Sequence, residues 1–193
     1  MSLPAWFPIF GPLAARRRAF RDLPALAKQR GWRVVESESR HHFGTIEGTA
    51  QGHAIVIRPD TPSIKVQFAC SLEDFQLSML DTGRKRPSYD LGHPRFMRVF
   101  RTQVLSQRMV DALRGKVEVA ERVLALLRHR VLGIEVSPQG LTCAMHNPFY
   151  PGSRGPYYIA VADVERLLPE MIEVVQALEA VWSPRAADAG RAS

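Results

Sequence analysis

The amino-acid sequence predicts an α+β fold: one domain on a mainly antiparallel sheet of about six to seven strands, with helices packed on one face. Two observations carry that expectation. Between Phe43 and Leu80 apolar and polar residues alternate with period two, as half-buried antiparallel strands require, because successive side chains point to opposite faces. From about Val161 or Asp163 to Trp182, apolar residues recur every three or four positions, the stripe of an amphipathic helix.

The first dozen residues read as an aromatic and proline-rich arm carrying Trp6, Phe7 and Phe10, followed by Arg16, Arg17 and Arg18. Such an arm either packs into a groove of its own domain or anchors at a membrane interface. In the second case the aromatic rings lie in the headgroup layer and the arginines meet anionic lipid. These six residues are therefore the candidates for membrane or partner contact. A secretory signal has its charges first, and Pro4, Pro8 and Pro12 would break a helical h-region, so an intact cytoplasmic chain is expected. No run of about 18 apolar residues suits a spanning helix.

From about Leu13 to Arg30 the spacing is helical, with Phe20, Leu23, Leu26 and Ala27 on one side. Pro24 removes a backbone donor, which predicts a break near Asp22-Leu23 and a second helix beginning at the proline. Gly31 stops that helix, and Trp32 turns the chain into a first strand with its indole against the sheet. In the meander that follows, Gln51-Gly52 suits a hairpin turn. Ile64, Val66, Phe68 and Cys70 share one face, as do Phe75, Leu77 and Met79.

Residues 81–94 read as a surface loop. Arg95 to Arg101 fits either a helix or an extended segment, and its β-branched and aromatic content favours the extended form, entering a helix at Ser106. Gly115 interrupts, and a longer helix is expected from about Lys116 to Arg130, with Val119, Val123, Leu126 and Leu127 inward. A second hairpin turns at Pro138-Gln139. The C-terminal helix presents Val164, Leu167, Leu168, Met171, Ile172, Val175 and Leu178, with Pro169 marking a kink or a start. Residues 184–193, small and polar, are expected to be disordered.

The order of a helix, a Gly31-Trp32 corner, a meander, and then Gly92-x-Pro94-x-Phe96-x-x-x-Phe100 before a helix pair, a hairpin and an amphipathic helix resembles a group of uncharacterised bacterial α+β domains. Met97 stands where that pattern has an aspartate, and Tyr89-Asp90 is a rival place for the Phe-Asp pair. The resemblance spans about residues 24–182. It implies a fold and no activity.

Function is less legible. The 193 residues are 46% hydrophobic and 23% charged, ordinary for a globular chain, with a formal net charge of +7 that permits attraction to nucleic acid or an anionic surface. Cys70 and Cys143 read as buried thiols in strands. The six histidines include no C-x₂-C or H-E-x-x-H spacing, so no metal or cofactor is implied. Nucleophile elbows and phosphate loops are missing, and an enzyme would need His53, His146, Cys70 or Cys143 to converge. The most pointed feature is a basic run, Arg84, Lys85, Arg86, Arg95, Arg98 and Arg101, with Tyr89, Phe96 and Phe100 between them. The expectation is a non-catalytic binding domain that holds a protein partner, a second copy of itself or a small apolar ligand on the sheet face or in the groove beside the C-terminal helix. Nucleic-acid or anionic-surface binding through residues 84–101 is the alternative, and an uncharacterised enzyme the third.

Overall fold

The computed structural model describes residues 7–37, 43–72, 75–79, 91–104, 107–145 and 158–182, with the side chains of 7–16 and 101–109 left out of the description. The first helix, α1 (Phe7–Arg30), is one piece. It starts inside the expected arm and passes through Pro24, so the break expected at Asp22-Leu23 is absent. Ala19, Leu23, Leu26 and Ala27 are buried on both sides of the proline, and their packing outweighs the amide that Pro24 lacks. Gly31, at φ 69°, closes α1: its N–H donates to the Lys28 carbonyl at 3.2 Å and the Trp32 N–H to the Ala27 carbonyl at 2.8 Å. Those two bonds form a Schellman stop, which needs a left-handed residue at that position.

The strands β1 (Arg33–Val35), β2 (Thr45–Ala50), β3 (His53–Arg58) and β4 (Ser63–Gln67) form an antiparallel meander. The turn between β2 and β3 has positive φ at both Gln51 and Gly52, the geometry that matches strand twist. The meander then stops. Beside β4 lies β8 (Gly140–Ala144), then β7 (Gly133–Ser137), β5 (Phe75–Met79) and β6 (Phe100–Val104), so among the described residues the sheet has eight strands in the order β1-β2-β3-β4-β8-β7-β5-β6. Every pairing is antiparallel.

Register puts Ile46, Ile55, Ile57, Ile64, Val66, Leu141, Cys143, Ile134, Val136, Phe75 and Leu77 on one face, all buried. Helices cover that face: α2 (Pro94–Val99), α3 (Gln107–Leu113), α4 (Val117–Ala125) with a 3₁₀ turn (Leu126–Arg128), and α5 (Val161–Trp182). The fold is α+β. The seven apolar residues expected on α5 are all buried, and α5 packs on β4 and β8 as well as on α1, α3 and α4. It runs continuously through Pro169. Its cap is Ala160, whose N–H donates to Asp163 Oδ2 at 3.0 Å, half of a capping box.

Two further expectations are corrected. Residues 94–99 are helical: Pro94 takes the first turn, and the His93 ring caps it, its Nδ1 accepting from the Phe96 N–H at 3.0 Å. The extended segment begins only at Phe100. Cys70 is exposed rather than buried in a strand. After Gln67 the chain leaves the sheet and follows the β7–β8 turn, with the Phe68 and Leu72 N–H groups donating to the Gln139 and Pro138 carbonyls. Phe68 stays inward, and the alternation ends there.

Candidate functional site

The helical layer carries a groove of about 770 Å³ between α3, α4 and the second half of α5. On α5 its residues are Glu173, Gln176, Ala177, Ala180 and Val181, at steps i, i+3, i+4, i+7 and i+8. They are half-buried or exposed, on the flank turned away from the stripe that meets the sheet. Two alanines on that flank leave room, and Val119 of α4 supplies an apolar floor with Ala177 and Val181. Charges of both signs stand around it: Lys116 and Arg122 against Asp111, Glu118 and Glu173. Arg122 bridges the helices, its Nη1 donating to Glu173 Oε2 at 2.8 Å. With side chains 49% and 60% exposed, that pair orders the rim more than it stabilises the fold.

The opposite face of the sheet is polar. Thr45, Glu47, Lys65, Gln67, Thr142 and Glu135 occupy it by register, and Arg33 donates to Glu47 at 2.7 Å. A smaller hollow of about 290 Å³ lies where Trp32, the β2–β3 turn and the first half of α5 meet. Its wall is the Trp32 indole, whose Nε1–H donates to the Thr49 carbonyl at 3.0 Å.

Among the described residues, three histidines approach carboxylates. His53, 6% exposed, sits under α5, its Nδ1 3.2 Å from the Gln67 carbonyl and its Nε2 3.9 Å from Glu179 Oε2. The other Glu179 oxygen accepts the Ala69 N–H at 2.5 Å, so one carboxylate ties α5 to the chain beyond β4. His93 must carry its proton on Nε2, because Nδ1 accepts the cap; Nε2 lies 3.2 Å from Glu121, which Arg95 also approaches. His129 Nε2 is 2.9 Å from Glu170 but off the line of a hydrogen bond, a contact that becomes an ion pair on protonation.

No family model matches this chain, and no curated protein does. A solved structure does. The chain is similar in fold to the crystal structure of the mycobacterial trehalose monomycolate transport factor A, TtfA, at a TM-score of 0.51 and 14% identity. The match covers 88% of this chain and 98% of that one. At that identity the likeness is one of fold.

The residues singled out by sequence fall as follows. Arg84, Lys85, Arg86, Tyr89 and Trp6 lie outside the described residues, as do His41, His42 and His146. Phe7, Phe10 and Arg16 are on α1 with side chains not described, whereas Arg17 and Arg18 are exposed. Arg95 and Arg98 are exposed on α2, and Arg101 is in β6. Phe96 and Phe100 are 4% and 0% exposed and stack on each other at 4.8 Å, so neither is free to receive a base. Cys143 pairs across the sheet with Ile64 and Ile134 and is fully buried, and burial pushes its thiol pKa well up. A neutral buried thiol makes a poor nucleophile. Among the described residues no three His, Cys, Asp or Glu side chains gather as a metal site would require.

Proposed function

We propose that the chain is a non-catalytic binding domain that holds a protein partner in the groove between α4 and α5. The groove carries this reading: about 770 Å³, an apolar floor of Val119, Ala177 and Val181, and charges of both signs on either wall. That combination suits an amphipathic helix, whose apolar side chains fill the floor while its polar flanks meet Lys116, Arg122, Glu118 and Glu173. The polar sheet face offers hydrogen bonds without the desolvated floor that anchors a partner. TtfA is named a transport factor, and a shared fold with it is compatible with this reading.

The test is site-specific photo-crosslinking in cells. A crosslinker at Gln176 should trap a partner as one adduct of defined mass, and one at Lys65 on the sheet face should not. Ala177→Trp with Ala180→Trp, filling the groove from its exposed flank, should abolish the adduct. Equal trapping at both positions, or an adduct indifferent to the filled groove, refutes it.

A second reading is nucleic-acid binding through residues 84–101. The exposure of Arg95 and Arg98 favours it. With Phe96 and Phe100 in the core, such binding rests on phosphate contacts, falls steeply with salt and shows no base preference. A mobility shift unchanged by Arg95→Ala with Arg98→Ala would end it.

A further inference from the structure

Between Phe7 and Arg30, helix α1 carries Arg16, Arg17, Arg18, Arg21, Lys28 and Arg30 against a single carboxylate, Asp22. At 100° per residue Arg17, Arg21 and Lys28 follow one line, at i, i+4 and i+11, with Arg18 beside it. All four are exposed, and the line runs opposite the buried side made by Ala19, Leu23, Leu26 and Ala27. Asp22 forms an ion pair with Arg21 at 2.6 Å, and that pair is open to solvent. Arg18 also acts on the Asp22 charge, so that one carboxylate stands against all the cations of the helix. Ahead of them the first turns of α1 contain Phe7, Ile9, Phe10 and Leu13 and no charge before Arg16.

We propose that α1 is the docking element of this domain for an anionic lipid bilayer. Its arginine and lysine line would meet the headgroups, and its uncharged N-terminal turns the acyl boundary. A cationic line alone would serve any polyanion. What selects a bilayer is the sequence of apolar turns leading directly into the cations on one continuous helix: a polynucleotide offers phosphates but nothing for Phe7, Ile9, Phe10 and Leu13. The partner groove lies on other elements, α3, α4 and the far flank of α5, so the surface proposed here does not compete with it. A partner held in that groove would be held at the membrane.

The experiment is co-sedimentation of the full chain with phosphatidylcholine vesicles, with and without phosphatidylglycerol. The chain should pellet only with the anionic vesicles, and less as salt rises. Each cation near an anionic surface is worth a factor of about five, so Arg17→Gln with Arg18→Gln should lower partitioning about 30-fold. Lys65→Gln with Arg58→Gln on the sheet face should leave it unchanged. Phe7→Ser with Phe10→Ser should remove the binding that survives high salt. Arg17 and Arg18 are exposed, and unchanged circular dichroism will show that the double variant is folded; if it is not, Arg17→Lys with Arg18→Lys must bind like the parent. Failure to pellet with phosphatidylglycerol, a double variant that pellets like the parent, or binding to duplex DNA with none to vesicles overturns the proposal.

Discussion

Gly48 is a position where a single methyl group should meet a side chain with no room to yield. It lies on β2 opposite Ile55, on the helix-covered face, and the Trp32 indole rests against it. A Cβ built there overlaps Trp32 Cδ1 and Cγ and comes within 2.9 Å of Trp32 Cβ. The ring has little freedom to retreat. Its Nε1–H is bonded to the Thr49 carbonyl at 3.0 Å, and its backbone N–H closes α1 at 2.8 Å. A strand glycine without such a neighbour should gain roughly 0.5–1 kcal/mol on replacement by alanine, from the lost entropy of the unfolded chain. Against that gain stand about 1–3 kcal/mol for overpacking and about 1 kcal/mol for the indole hydrogen bond. The steric terms win, and Gly48→Ala should destabilise by about 1–3 kcal/mol. Urea unfolding followed by circular dichroism measures it. In a Trp32→Leu background the clash is gone, and the same substitution should be neutral or stabilising. A Gly48→Ala protein more stable than the parent, or an equal cost in both backgrounds, refutes the packing argument.

Other expectations follow from the core and its edges. Native protein should react rapidly with one equivalent of a thiol reagent, through Cys70, and release the second thiol only on unfolding. Because burial raises the Cys143 pKa above its unfolded value, the stability it contributes is complete below the ordinary thiol range and declines as pH rises beyond it. That decline approaches about 1.4 kcal/mol per pH unit; urea midpoints across the alkaline range should show it, and Cys143→Ala should flatten it. Glu179→Ala strips the carboxylate acceptor from the Ala69 N–H and removes the charge 3.9 Å from buried His53, and should cost about 1–2 kcal/mol in urea unfolding, part of which Glu179→Gln recovers. Arg122→Ala breaks a bridge between two largely exposed side chains and should change stability by less than about 0.5 kcal/mol, so any loss of partner trapping would belong to the groove itself.

What was legible in the sequence was local. Turn residues at 51–52 and 138–139 and strict alternation marked two hairpins with the correct inward residues, and the α5 stripe was readable in full because its period is written along one element. Pairings between distant segments left no such mark. Nothing in Ser63–Gln67 says that Ile64 will face Cys143 rather than a residue of the next strand. Local signals also competed. Phe96, Val99 and Phe100 are spaced for a helix but by type suit a strand, and Pro94 behind a histidine cap started a helix, with a strand after it. Pro24 signalled a break that four packed neighbours overrode. A groove beside the C-terminal helix could be anticipated as a place, but not its residues. Ala177 and Ala180 look like ordinary outer positions until α4 is known to stand opposite them.

The insertion of β7 and β8 between β4 and β5 bears on how the chain must be made. A nascent chain that has not yet emerged past Gly133 can assemble β1 to β4 as one small sheet and β5 with β6 as another, each with a raw inner edge and an apolar face that α5 does not yet cover. The hairpin that joins them comes some seventy residues after β4, and the helix that roofs them comes last. Until that hairpin arrives, the inner edges of β4 and β5 have no strand to pair with, a state open to association with other chains. A truncation before Ala144 should yield aggregate, whereas one after Trp182 should not.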